Sequence, residues 1–497
     1  MSKKYGEFIK SGKSYLINTP YTPRQYTNVI TNQDGYLAEI SGWGTGAASL
    51  QFESGDINTI VDGDKKTLYC RDDESGEVWC PGVYPMMSKV EGFGCEHSDV
   101  YTQVTSEYRG IAVKWRIFIP QKGSHEIWSV DIENKSPRKR KISVVPAVRL
   151  LLTGFAARRF FDEQVQYSVC DFEESMNGMY FLAGNPNPKD KTYNAVLATS
   201  VPIKSYCGEG EKFLGAPLAF HFPEALLNGR DLGNHKGLAG EPFQGVQCQV
   251  EVEPSETSEL DFIFGVVDSK DHAKEIVKLI KDRDTVEELF AKDCAEVAKR
   301  RDRLIVDTPN EQINYFVNLW LKKGLEYGMR KKDATRDNFQ FAEGLCMSDP
   351  DRVRKEILRD LKWQYKDGHT LRSWVPLDTV HYCDGAMWLV ITTCGYLKFS
   401  DDMDFLNIKV PYYDGGEGTV LEHLIAGIAN IDENRGPHNL PLSFFADWND
   451  ALNYNDDQAE SVFMAMGLAF AFNELAALMD YIDKKDEAEV YRKKHAE

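Results

Sequence analysis

The spacing of apolar residues changes once along this chain, and that change limits its fold more than any other feature. Up to about residue 268 the period is two. Ile111, Val113, Trp115, Ile117 and Ile119 alternate with Ala112, Lys114, Arg116 and Phe118; Val246, Cys248, Val250 and Val252 alternate with Gln247, Gln249 and Glu251. Successive side chains of a strand point to opposite faces, so such runs build sheets with one face toward a core. Turn-forming clusters such as Asn134-Lys135-Ser136-Pro137 separate them. Residues 1–268 therefore predict a large antiparallel β-sandwich, long enough for two big stacked sheets rather than an immunoglobulin-like unit.

Residues 269–310 are charged, with a narrow apolar stripe through Ile276, Leu279, Ile280, Leu289 and Phe290, and predict a helical linker. From residue 311 to 497 the period is 3.6. Ile313, Phe316, Val317, Trp320 and Leu321 share one predicted helix face. Val353, Ile357 and Leu361 share another, and Val420, Leu421, Leu424, Ile425 and Ile428 a third. Ser348-Asp349-Pro350 reads as a helix start, because a proline in the first turn forfeits no hydrogen bond. Successive helices joined by loops rich in Trp, Asp, Gly and His predict αα-hairpins whose tips converge, and an (α/α) toroid as their closure. About five or six helical stretches follow Gln312, too few for a twelve-helix toroid, and the last runs to Glu497 without a cap. The expectation is a truncated toroid that leaves Val462, Phe463, Met466, Phe470 and Leu475 uncovered.

Length predicts two or three domains. The 58 basic and 77 acidic residues leave a net charge of −19, which argues against a nucleic-acid or anionic-membrane partner. The first twenty residues lack a signal-peptide core, and the apolar run Met464–Phe472 is half the length of a membrane span. A cytoplasmic protein is expected. The ten cysteines form no C-x-x-C pair and no zinc-site spacing, so free thiols and no metal site are expected. Cys383 stands two residues from His381, which is weak ground for a thiol nucleophile. Phosphate-loop, dinucleotide-binding and serine-hydrolase signatures are lacking from the sequence.

Chemistry concentrates in the helical half. Ala446-Asp447-Trp448-Asn449-Asp450 places two carboxylates beside an indole that can stack on a pyranose and an amide that can read hydroxyls. The plainer reading is an Asx-rich helix cap. Thr335-Arg336-Asp337-Asn338-Phe339-Gln340 adds a guanidinium, a carboxylate and amides. Trp363 to Trp374 gathers aromatics with His369 and Arg372, and His381-Tyr382-Cys383-Asp384-Gly385 supplies a further acid. Each could be solvated surface, yet their recurrence between helices of one domain points to a carbohydrate cleft.

Read in order, R-D-N-F-Q at 336–340, D-G-H-T-L-R-S-W at 367–374, Y-C-D-G-A-M-W at 382–388, P-Y-Y-D-G-G-E-G-T-V-L-E-H at 411–423, R-G-P-H at 435–438 and then A-D-W-N-D resemble the inverting phosphorylases of glycoside hydrolase family 94. E-V-W-C-P-G at 77–82 and C-E-H-S-D-V-Y-T at 95–102 extend the resemblance to the first half. It implies a β-supersandwich, a helical linker, part of an (α/α)₆ barrel, and a homodimer. It implies Asp450 as general acid, Trp448 in the same motif, and Arg336 and Asp337 gripping the non-reducing sugar, with Gln340 and Asp384 also binding substrate. The co-substrate would be inorganic phosphate and no cofactor or metal would be needed. The product would be an α-sugar-1-phosphate released from a β-linked gluco-disaccharide or oligosaccharide. Phe341 stands where the family usually carries an acid, and C-E-H-S-D-V departs from C-x-H-G-L-G. An inverting hydrolase on the same fold and an inactive carbohydrate-binding protein are the alternatives.

Overall fold

The alternating runs pair into two antiparallel sheets. The computed structural model describes residues 5–51, 57–154, 168–183, 193–216, 218–330, 334–374, 377–452 and 458–497. Among these, one sheet runs in the order Gly6–Ile9, Ser14–Ile17, Glu91–Ser98, Tyr101–Tyr108, Ile111–Phe118, His125–Asn134, Thr257–Val267, Asn194–Thr199, Gly178–Leu182, Val169–Glu173 and Gly237–Leu238. The main path of the second is Ile203–Glu209, Pro242–Val252, Arg140–Arg149, Ile57–Asp72, Gly46–Gln51, Tyr36–Ser41 and Thr27–Thr31. Both belong to one compact unit that includes Ile57–Lys299.

The faces behave as the alternation predicts on the inside. Ile111, Val113, Trp115 and Ile117 are buried with Trp128, Val130 and Ile132 of the next strand, opposite Tyr36, Leu68, Cys70, Val144 and Val246. The other face is less exposed than the sequence suggests, for Arg116 and Phe118 are buried as well. Helices α1 (Lys270–Val277) and α2 (Arg283–Arg301) account for this. Ala273, Ile276, Ile280 and Val286 pack on Phe118, Ile127 and Ile263, and the Phe118 and Phe290 rings lie 5.1 Å apart. Glu287 accepts from Arg116 at 2.5 Å, and Arg283 reaches Asp131 at 3.0 Å and Asp261 at 3.3 Å. Inside the sandwich one ion pair spans the two sheets: Lys66 Nζ, on Ile57–Asp72, donates to both carboxylate oxygens of Glu126, on His125–Asn134, at 2.8 and 2.7 Å, with both side chains buried.

A second compact unit comprises Arg300–Pro309 and Phe316–Glu497. Its helices are α3 (Leu321–Arg330), α4 (Thr335–Leu345), α5 (Pro350–Asp360), α6 (Gly385–Ser400), α7 (Val420–Glu433), α8 (Val462–Tyr481) and α9 (Lys485–Ala496). α6 is apolar almost all round because α4, α5, α7 and α8 pack on it. The start at Asp349 forms as expected, the Asp349 side chain accepting from the Arg352 amide and Pro350 opening α5. Val353, Ile357 and Leu361 are buried, as are Val420, Leu424 and Ile428, but Leu421 is half-buried and Ile425, expected on the same face, is exposed.

Two further expectations are corrected. The stretch from Ile313 to Leu321 is not one straight α-helix, because Phe316–Trp320 forms a wide π turn between Glu311–Tyr315 and α3. The extra residue in that turn rotates the face, so Leu319 is buried while Ile313, Phe316 and Leu321 are exposed. On α8, Val462, Phe463, Met466 and Phe470 are exposed as expected, but Leu475 is fully buried with Leu468, Phe472 and Leu478. α8 is also long and apolar enough to cross a membrane by length and composition, with half of it buried inside the unit. All ten cysteines are free, and all but Cys294 are buried.

Candidate active site

The first turn of α4 is stitched to the segment before it in space. The Thr335 amide donates to the Arg372 carbonyl at 3.1 Å and its hydroxyl to the Leu371 carbonyl at 2.5 Å. This fixes Arg336 one residue into the helix. The segment Tyr382–Asp384, which leads into α6, is bridged to Phe444 and Ala446, and the Cys383 amide donates to the Ala446 carbonyl at 3.2 Å. Beyond Ala446, Asp447 braces its own loop: one oxygen accepts from the Asn449 amide at 2.8 Å and the other from the Ser461 hydroxyl at 2.6 Å. Ser461 also caps α8 by accepting from the Met464 amide. The motif is thus anchored at Asp447 to the start of α8.

Arg336 is the hub where these elements meet. Its Nη1 donates to Asp384 Oδ2 at 3.3 Å and to the Asp447 carbonyl at 3.1 Å, and its Nη2 donates to Asp450 Oδ1 at 2.8 Å. The fork of the guanidinium suits two acceptors at once. Asp384 is 1% exposed, and its Oδ2 also accepts from the Trp388 indole at 3.2 Å, so it stands behind Arg336. Burial raises the Asp384 carboxyl above the usual range, with Arg336 offsetting part of the effect. Burial works against the Arg336 cation, but the Asp384 and Asp450 carboxylates outweigh it and raise its pKa.

Asp450 faces outward, with its side chain 45% exposed. Its second oxygen lies 3.6 Å from Arg372 Nη2, while Arg372 Nη1 donates to Asp378 at 2.9 Å and the guanidinium sits 4.7 Å from the Tyr382 ring centroid. Trp448 is 55% exposed two residues away. Asp337 and Gln340 lie half-buried on α4, Gln340 one turn beyond Arg336, and no hydrogen bond joins Gln340 to the hub among the described residues. Phe341, in the position where an acid was expected from the resemblance, is a packing residue whose ring covers Gly328 so closely that a Cβ there would lie 2.5 Å from it.

The structure therefore brings Arg336, Asp384, Asp447 and Asp450 together and leaves Trp448 open beside them. Asp378 and Ser461 were not among the residues expected here. A serine just before the apolar run of α8 was a readable cap signal, whereas nothing in the sequence ties Asp378 to Arg372. Cys383 is no nucleophile in this geometry: burial raises its thiol far above the ordinary range, and the His381 ring stacks on Phe444.

The supersandwich domain of glycosyl hydrolase 94 matches residues 13–283, and the catalytic domain of the glycosyl hydrolase 94 superfamily matches residues 298–497. The chain belongs to glycosyl hydrolase family 94. Among proteins of this kind it is 30% identical to a solabiose phosphorylase of Paenibacillus borealis over 95% of its own length and 63% of the relative's. It is 26% identical to a 3-O-β-D-glucopyranosyl-β-D-glucuronide phosphorylase of the same organism, over 98% and 64%. The family 94 chain thus spans less than two thirds of the length of these curated relatives. A bacterial glucoamylase complexed with acarbose shares its fold, with a TM-score of 0.53 at 11% identity over 97% of this chain and 69% of that one.

Proposed function

We propose that this chain carries the acid and the donor-sugar grip of an inverting glycoside phosphorylase acting on a β-linked gluco-disaccharide or oligosaccharide. The names of both relatives support phosphorolysis. The observation that carries the reading is the Arg336 hub, which ties an outward-facing Asp450 to a buried Asp384 beside the open face of Trp448.

An inverting hydrolase needs a second carboxylate to activate water. Phosphate is already an anionic nucleophile, so a phosphorylase needs one acid and a site for the anion. Asp450 protonates the interglycosidic oxygen while phosphate attacks the anomeric carbon from the opposite face, and the sugar leaves as its α-1-phosphate. In synthesis the same residue is the base that takes the acceptor's proton. Arg336 holds Asp450 Oδ1 at hydrogen-bond distance, whereas Oδ2 stands 3.6 Å from Arg372. Oδ2, beyond hydrogen-bond distance of Arg372, is then the oxygen presented to the substrate. Trp448 offers its face to a pyranose ring, and Arg336, Asp337 and Gln340 grip the donor's hydroxyls.

Asp450→Asn in the protein that carries this chain should abolish phosphorolysis and synthesis together. Retention of a tenth of normal turnover, or sugar release that proceeds without phosphate, would overturn the reading.

A further inference from the structure

The loop that presents Asp450 contains a bulky residue in a conformation such residues rarely adopt. Phe444 has φ +47°, in the left-handed region that favours glycine. It is a phenylalanine nonetheless, and its ring is the end of a run of ring contacts, two of them stacked and the one between them tilted by 38°. Tyr365 and His369 stack with centroids 4.0 Å apart and planes 14° from parallel. His369 lies 4.6 Å from His381, and His381 stacks on Phe444 at 3.9 Å and 18°. The far end is fixed as well: Tyr413 meets Tyr365 edge-on at 5.0 Å, and Asp367 bonds the His369 ring at 2.6 Å.

We propose that this column of rings is what holds the acid loop in place, with Phe444 and His381 as positioning residues for Asp450. The inference rests on the reading of Asp450 as the acid and adds where its alignment comes from. The backbone on both sides of Phe444 is already paired: the Phe445 amide donates to the His381 carbonyl at 3.1 Å, Tyr382 bridges Phe444 and Ala446, and the Ser443 amide donates to the Ala459 carbonyl at 2.9 Å. A left-handed turn between two paired segments redirects the chain, and Asp447 to Asp450 follow at once. Without the ring stack the strained residue can relax to an ordinary backbone conformation, and the turn that aims the next six residues relaxes with it. The half-buried imidazole has the character this role needs, since desolvation and the neighbouring His369 lower the His381 pKa to about 4 against the opposing pull of Asp367 and keep the ring uncharged against Phe444.

The test uses His381→Ala, Phe444→Ala and His381→Phe, the last retaining a stacked ring. The alanine variants should lower kcat by roughly tenfold or more while leaving the KM for the donor sugar nearly unchanged, because a small misplacement of an acid slows chemistry more than binding. His381→Phe should restore most of the turnover. A second readout is independent of activity: the acrylamide quenching of Trp448, taken as the difference from Trp448→Phe, should increase in the alanine variants and return in His381→Phe. Unchanged quenching in both alanine variants would overturn the proposal even if activity fell. Failure of Asp450→Asn to silence the enzyme would instead remove the acid assignment and leave the quenching result to judge the column.

Discussion

Arg336 illustrates how much a single residue settles here. Its guanidinium is shared by a buried and an exposed carboxylate, so Arg336→Ala should both loosen Asp450 and strand Asp384. If the proposed phosphorylase reading holds, the expected outcome is weaker donor binding together with slower turnover, measured with α-glucose 1-phosphate as the trial donor. Arg336→Lys should rescue little, because an ammonium cannot span both acceptors. His125 makes a different prediction. It is buried, neither ring nitrogen is hydrogen-bonded among the described residues, and burial, reinforced by His272 and opposed by Asp34, lowers its pKa from 6.5 to about 4. Unfolding lets the ring take up a proton, so its neutral state supports the fold fully above pH 6.5, and that support is lost as pH falls toward 4. The full effect is on the order of 3 kcal/mol. Denaturant midpoints at pH 7 and pH 5 should differ, and His125→Phe should flatten the difference. The sequence offered Arg336 and Asp450 as site residues by type and motif. It could not show that they touch, since 114 positions separate them and the distance closes through α4 packing on α6 and through the pairing of Ala446 with the segment that leads into α6.

Elements were legible where apolar residues repeat along one face. The runs through Trp115 and through Val353 satisfy that condition and form a strand and a helix as expected, although the helices packed outside the first bury Arg116 and Phe118 on its other face as well. The stretch from Ile313 to Leu321 breaks it, because a π turn shifts the phase by one residue and no composition signal marks such a turn. α8 breaks it differently. Its sequence is apolar on nearly every side, so periodicity cannot tell the buried Leu475 from Met466, which is 64% exposed. Substitution can. Leu475→Ala should destabilise the helical unit by about 2–5 kcal/mol, the range for a buried leucine, while Met466→Ala should change it by less than about 0.5 kcal/mol. Equal effects in thermal or urea unfolding would mean that the two faces are not distinct.

At the scale of the whole chain the cysteines make a built-in probe. Cys70, Cys80, Cys95, Cys170, Cys207 and Cys248 are buried in the β unit, and Cys346, Cys383 and Cys394 in the helical unit. Burial raises each of these thiols, which suppresses the reactive thiolate in the folded state. Labelling along a urea titration should therefore release the first six together and the last three together. Members of one set that label at widely different urea concentrations would show that its core is not a single cooperative body.

The ion pair between Lys66 and Glu126 bears on how the chain can change through descent. Either residue alone in the closed sandwich would be a buried charge without a partner, a loss of about 3–5 kcal/mol, while an apolar pair of similar volume would be nearly neutral or better. The route from the present pair to that apolar pair passes through one of two damaged intermediates. Lineages that inherit one partner should therefore inherit the other, and a comparison of relatives should find the two positions changing together or staying fixed.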